Sequence, residues 1–206
     1  MPKQTFFHLA KEKQETLIQA AKKEFSRVPL HAASISNIIK DAKIPRGSFY
    51  QYFEDKEDLY YYLLNELGQK NHERFLSILE KKNGDLFETL IECFHCMIQD
   101  FRDPDNKSFF QNAFSNMNYK LENTLTNNVY EENKKNQLLN TIKLINTNNL
   151  NIQNEHELRY ILKMMMAITN HNLVHMFVKD LSEEDALNEF IEQIQLLKRG
   201  FHKDEQ

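Results

Sequence analysis

The stretch Ser34-Ile35-Ser36-Asn37-Ile38-Ile39-Lys40-Asp41-Ala42-Lys43-Ile44-Pro45-Arg46-Gly47-Ser48-Phe49-Tyr50-Gln51-Tyr52-Phe53-Glu54-Asp55 decides the fold. Ser34 is a good helix opener, because a side-chain oxygen at that position can accept from the first free amides. Ile35, Ile38 and Ile39 then share one face of a helix about two turns long. That helix stops near Ala42-Lys43-Ile44. Pro45 falls in the first turn of a second short helix reaching about Tyr52, where its missing N–H does no harm. Asp55 caps a further helix whose first turn, Lys56-Glu57-Asp58-Leu59, carries acids suited to the helix dipole. Upstream, Leu17, Ile18, Ala21 and Phe25 make residues 11–27 an amphipathic helix, closed by Pro29. Two short helices joined by a tight turn and braced by a third form a helix-turn-helix head.

The second short helix carries the chemistry. A helix of this size fits the DNA major groove, where its exposed side chains meet base edges and phosphates. Arg46 and Ser48 can donate hydrogen bonds, Gly47 lets the backbone approach closely, and Tyr50 and Tyr52 offer hydroxyls. Lys56 stands at a helix N-terminus suited to a phosphate. Phe49 and Phe53 turn inward as core.

Composition agrees with helices. Glycine and proline number four each in 206 residues, about a third of ordinary usage. So few turn-formers cannot punctuate a sandwich, a barrel or a chain of βαβ units. The expectation is an all-α chain of about nine helices, with a helix-turn-helix head over 1–54 and a helical body over 55–206. The net charge of −4 argues at first sight against nucleic acid. Residues 1–54, however, hold nine Lys/Arg against five acids, leaving −8 for the remainder, and a basic head on an acidic body points to polyanion contact at one end. No apolar run approaches the roughly 20 residues of a membrane span, and the start lacks the apolar core of a secretion signal. A soluble, cytoplasmic protein is expected. No nucleophile motif or phosphate-cradling loop suggests an enzyme. Cys93-Phe94-His95-Cys96 has no second CxxC and is followed by Met97, so it is neither a zinc ribbon nor a haem-attachment motif.

Beyond Lys56 a long helix reaches about Lys82, ending at Asn83-Gly84. Helical stretches follow near 85–102, 106–119, 120–148, 155–180 and 183–202, with breaks at Asp103-Pro104-Asp105 and Ser182. Fifteen asparagines between 106 and 154 lower helix propensity without abolishing the apolar pattern. In the last stretch Leu187, Phe190, Ile191, Ile194, Leu197 and Phe201 form a stripe wide enough to bury against a partner.

The run Ser34 to Ile44 followed by Gly47-Ser48-Phe49-Tyr50-Gln51-Tyr52-Phe53-Glu54-Asp55-Lys56-Glu57-Asp58-Leu59 resembles the TetR family of bacterial repressors. The resemblance implies a homodimer through the last two helices and a repressor that releases a palindromic duplex operator when a small molecule binds the body. Carried over by motif position, Ser34, Arg46, Gly47, Ser48, Tyr50, Tyr52 and Lys56 are the implied DNA-contacting residues. Two positions depart from the family pattern. Lys43 replaces the usual turn glycine, which places a lysine at an unfavourable φ, and Pro45 replaces the usual Ser/Thr opener, at the cost of a phosphate contact.

Two histidines stand out in the body. His72 lies in the long helix from Lys56, one turn after Gly68, and a mid-helix glycine gives up about 1 kcal/mol relative to alanine. His171 lies in the 155–180 helix, with Met164, Ile168 and Val178 on its face. The resembled family places these two helices at its ligand pocket. His72 in its helix, with His171-Asn172-Leu173-Val174 followed by Met176-Phe177, is similar to the haem-responsive TetR regulators of haem-efflux transporters. That similarity implies haem as the sensed ligand, His72 and His171 as axial iron ligands, and Gly68, Met164 and Ile168 around it. Other readings stay open. The ligand of such a repressor could be a hydrophobic drug or a fatty-acyl group. His171 and His175 are i, i+4 and could hold zinc. The chain could also be a helical partner-binding adaptor without a DNA role.

Overall fold

Helices form where apolar residues recur with helical period, and most of them end where the caps stand. The computed structural model describes residues 1–115, 140–148 and 150–201. In chain order it has α1 Gln4–Phe7, α2 Lys11–Arg27, a 3-10 turn Leu30–Ala32, α3 Ile35–Asp41, α4 Arg46–Tyr52, α5 Lys56–Lys81, α6 Leu86–Asp100, α7 Pro104–Ser115, α8 Glu155–Lys179 and α9 Glu183–Phe201. No strand occurs among the described residues. The all-helical expectation holds. The stretch expected over 120–148 lies outside the described residues except near its end, where 140–144 is helical. Helix α1 was not anticipated, and α4 begins at Arg46, with Pro45 before it as N-cap instead of inside its first turn.

The capping residues act through identifiable bonds. Asp55 Oδ1 accepts from Asp58 N at 2.7 Å, and Asp58 Oδ2 accepts from Glu54 N at 3.1 Å, a reciprocal arrangement that satisfies two amides. Asn154 opens α8 by accepting from His156 N and Glu157 N. Ser182 Oγ accepts from Asp185 N at 3.0 Å to open α9. After α5 the chain turns through Asn83 and Gly84, both at positive φ. A Cβ at Gly84 would lie 2.5 Å from the Leu144 carbonyl oxygen, so this turn requires glycine on two counts.

The described residues group into two compact units, one of Met1–Gln69 with the chain from Asp100, the other of Lys70–Gln99 with the later residues. In the first unit Phe6, Leu17, Ala21, Phe25, Ile38, Phe49, Phe53, Leu59, Leu63 and Leu64 are buried together. Helix α7 belongs to it as well. Asn112 Nδ2 donates to the Phe25 and Ser26 carbonyls at the end of α2, and Ser26 Oγ donates to the Asp105 carbonyl. In the second unit Phe94 of α6 stacks on Phe190 of α9 with centroids 4.0 Å apart. Asn172 of α8 and Gln193 of α9 exchange amide hydrogen bonds at 2.8 and 3.3 Å.

One capping expectation fails. Ser34 does precede α3, but its hydroxyl makes no cap bond. Glu24, buried on α2, fastens the start of α3 instead: its carboxylate accepts from Ser34 N at 2.8 Å, from Asn37 Nδ2 at 3.1 Å and from both Nε and Nη2 of Arg27. Burial alone would raise the Glu24 pKa. The bonds from Ser34, Arg27 and Asn37 outweigh it, and the net displacement is below the ordinary 4.5. A depressed carboxylate contributes stability that is fully present above its unfolded value and lost as pH falls through the folded one. Thermal unfolding at stepped pH is expected to show a midpoint that declines on acidification below 4.5, with a shallower decline in Glu24→Gln. In denaturant, Glu24→Ala is expected to lose about 2–3 kcal/mol, since the Ser34 amide, the Asn37 side chain and the Arg27 guanidinium all lose their acceptor.

Candidate nucleic-acid interface and ligand site

Helices α2, α3 and α4 make the helix-turn-helix, and the turn between α3 and α4 is tight because Lys43 adopts φ 54°. The strained lysine is thus where the sequence placed it. Ile44 N then bonds back to the Ile39 carbonyl, ending α3. Phe49 and Phe53 are fully buried. Anchored on that side, α4 turns Arg46, Gly47 and Tyr50 outward.

Arg46 is held loosely. Its guanidinium lies 3.4 Å from both Ser36 Oγ on α3 and the Tyr50 hydroxyl, and 5.9 Å from the Tyr50 ring centroid. Bonds this long are easily exchanged for a base edge or a phosphate. A Cβ at Gly47 would meet nothing within 4 Å, so the surface of α4 stays open for close approach. Ser48 and Tyr52 are half-buried, and Tyr52 packs its ring 6.4 Å from Phe6. Lys56 differs from the free cation expected. Its ammonium donates to the carbonyls of His31 and Ala33 at 2.9 and 3.0 Å, and a phosphate contact would compete with both bonds. Ser36, which the motif reading passed over, joins the group only through the fold.

The histidines divide. His72 is half-buried, and its Nε2 is enclosed with no hydrogen-bond partner. Burial holds its pKa below the ordinary 6.5 despite Glu73 nearby, which favours the neutral imidazole. His171 is exposed and stacks parallel on His175, centroids 6.0 Å apart. His175 Nδ1 lies 3.4 Å from a Glu189 carboxylate oxygen. Met164 is exposed too, while Ile168 and Gly68 are half-buried. Tyr160, Met164, Ala167, His171 and Val178 recur at helical spacing and form an outward stripe on α8, with Leu196 exposed on α9. Conversely, Phe190 and Ile194, expected to face a partner, are buried within their own unit. Cys93 is buried, which pushes its thiol up to about 12, and Cys96 is half-buried.

Among the described residues no three His, Cys, Asp or Glu side chains converge to hold a metal ion, and no helix is long and apolar enough to cross a membrane. His72 is half-buried and His171 exposed, so the two do not form one enclosed pair. Haem fits His72, a neutral buried nitrogen lacking a partner, better than it fits His171, whose ring lies on the surface.

Two family models match the chain: "Bacterial regulatory proteins, tetR family" over residues 17–63, and "Tetracyclin repressor-like, C-terminal domain" over residues 85–201. The uncharacterized HTH-type transcriptional regulator YuxN of Bacillus subtilis is 39% identical over 75 residues, which is 36% of this chain and only 25% of that relative. A tetR-family regulator from Streptomyces coelicolor superposes with a TM-score of 0.63 at 18% identity, covering 92% of this chain and 81% of the other. The regulator FadR of Bacillus subtilis, in complex with stearoyl-CoA, gives 0.62 at 18% identity, covering 87% and 96%. At such identities the two structures speak for the fold alone. The C-terminal model by itself spans more than half of the residues, the N-terminal model covers α3 and α4, and the chain belongs to the TetR family of transcriptional regulators.

Proposed function

We propose that this chain is a ligand-released repressor that reads a palindromic duplex operator as a homodimer and senses haem. The open face of α4, with Arg46 and Tyr50 exposed beside Gly47, supports the DNA reading. The exposed Tyr160 and Val178 of α8, with Leu196 of α9, support pairing with a second copy through the last two helices, because exposed apolar side chains need a matching surface. Two heads then meet half-sites about 34–36 Å apart, one turn of DNA.

The single observation supporting haem is the enclosed, unpartnered Nε2 of His72. A buried polar atom without a partner costs free energy, and an iron ligand bond would repay it. Haem, when bound, supplies an iron that accepts a neutral imidazole nitrogen. Burial favours the neutral imidazole of His72, the protonation form that can ligate iron. In this reading His171 would be the second ligand, with Met164 and Ile168 beside it on α8. Helix α5 carries His72 and also begins at the head, so it is the covalent route by which occupancy reaches α4. Release requires that haem prefer the form that cannot bind DNA, since equal affinity shifts nothing. A long acyl chain is the second reading, supported by the fold likeness to stearoyl-CoA-bound FadR.

Two experiments test these statements. Selection from a random duplex pool is expected to yield a palindrome, with Arg46→Ala weakening binding to it by about 1–3 kcal/mol and Tyr50→Ala also weakening it while folding is kept. A parent chain that retains no duplex above scrambled DNA would overturn the DNA reading. Titration with haem is expected to give a shifted Soret band that His72→Ala abolishes and His171→Ala alters. Spectra unchanged in both variants would remove haem, and stabilisation by stearoyl-CoA would then favour the acyl reading.

A further inference from the structure

Helix α4 is seven residues long, well short of the roughly 12–15 at which an isolated helix becomes even marginally stable. Its last four carbonyls, on Phe49, Tyr50, Gln51 and Tyr52, have no partners within the helix. Each is nevertheless accounted for. Phe53 N donates to Phe49 O at 2.9 Å. The other three are served by one segment far away in sequence: Lys3 Nζ donates to Tyr50 O at 2.8 Å, Thr5 Oγ1 donates to Gln51 O, and Lys3 N donates to Tyr52 O at 2.8 Å. The segment is itself anchored. Phe6 is fully buried, its ring 5.0 Å from Phe53 and 5.5 Å from Tyr62.

We infer that the N-terminal segment is a positioning device for DNA recognition: Lys3 and Thr5 fasten the C-terminal end of α4 and so set how its exposed face meets the base edges. The inference rests on the reading of α4 as the DNA-recognising helix. It gives Lys3 a role different from that of a basic residue in a basic head. Its ammonium complements the negative end of the α4 dipole, where a cation is stabilising, and so is not placed to neutralise a phosphate. Loss of the clamp would let the last turn of α4 fray. Contacts that depend on the helix being straight and fixed would then weaken, while backbone contacts common to any duplex would persist.

The test compares binding to the duplex selected by the parent chain with binding to a scrambled duplex, across a salt series. Lys3→Met combined with Thr5→Val is expected to lower the ratio of the two affinities by about tenfold, the loss of a cation at a helix C-terminus plus one hydrogen bond. The salt slope is expected to stay at the parent value, and Thr5→Ser, which keeps the hydroxyl, to keep the parent ratio. A slope reduced by about one would make Lys3 a phosphate contact and overturn the proposal. So would an unchanged ratio in the double variant. So would a fall in the ratio that merely follows the fraction of protein unfolded, read from thermal melts of the same samples. Should the parent itself fail to prefer its selected duplex, the reading of α4 falls instead, and the two failures are distinguishable.

Discussion

A seven-residue helix in water has more unsatisfied ends than interior, and the head of this protein contains two of them, α3 and α4. Neither can hold its shape from its own hydrogen bonds. The structure meets this constraint by lending each an end-group from elsewhere. Glu24 on α2 holds the Ser34 amide just before α3 and the Asn37 side chain in its first turn, and Lys3 with Thr5 serves the last carbonyls of α4. Between those fastened ends the turn is tight enough to hold Lys43 at positive φ. Everything the head offers to DNA depends on this, because Arg46, Gly47 and Tyr50 are presented only as accurately as α4 is held.

Periodicity and punctuation made most of this legible beforehand. The helix ends at Asp55, Asn83-Gly84 and Ser182 could be read because each uses a short-range bond between neighbours in sequence. What could not be read were the long-range substitutes. Ser34 has the right chemistry for a cap, yet a carboxylate ten residues earlier takes the Ser34 amide and the Asn37 side chain through charge-assisted bonds, which are the stronger kind. A faint signal was available: Glu24 sits three residues after Ala21 and seven after Leu17, where the helical pattern calls for an apolar residue. Helix α1 left less trace, for four residues carry no period, and only the burial of Phe6 discloses it.

The ligand site was legible in residue type and not in direction. His171, Met164 and Val178 do share a face, as their spacing required, but an apolar row facing a core and one facing a partner have the same period. The row is exposed here, whereas in α9 the row that suggested a partner has Phe190 and Ile194 buried within its own unit, Phe190 stacked on Phe94 of α6, and its other members half-buried. Two stripes of like composition thus have opposite environments. The difference is set by which neighbour reaches each helix first, a tertiary fact that no window of sequence contains. His72, by contrast, carries its evidence in a single atom, a ring nitrogen enclosed without a partner.

Charge shows the same gap between counting and placement. The head holds nine basic residues, yet three of them are engaged inside the protein: Lys3 on a carbonyl of α4, Lys23 on Asp41 at 2.8 Å and Arg27 on Glu24. Lys56, just beyond, is bonded to two carbonyls. Sensitivity to salt follows the number of phosphates neutralised, roughly 0.9 in slope for each, and not the formal charge of the domain. A head whose cations are partly committed to its own backbone gains less from the phosphates and must draw more of its discrimination from the few groups left outward on α4. That trade favours specificity, because indiscriminate attraction is reduced while the Lys3 ammonium fastens α4.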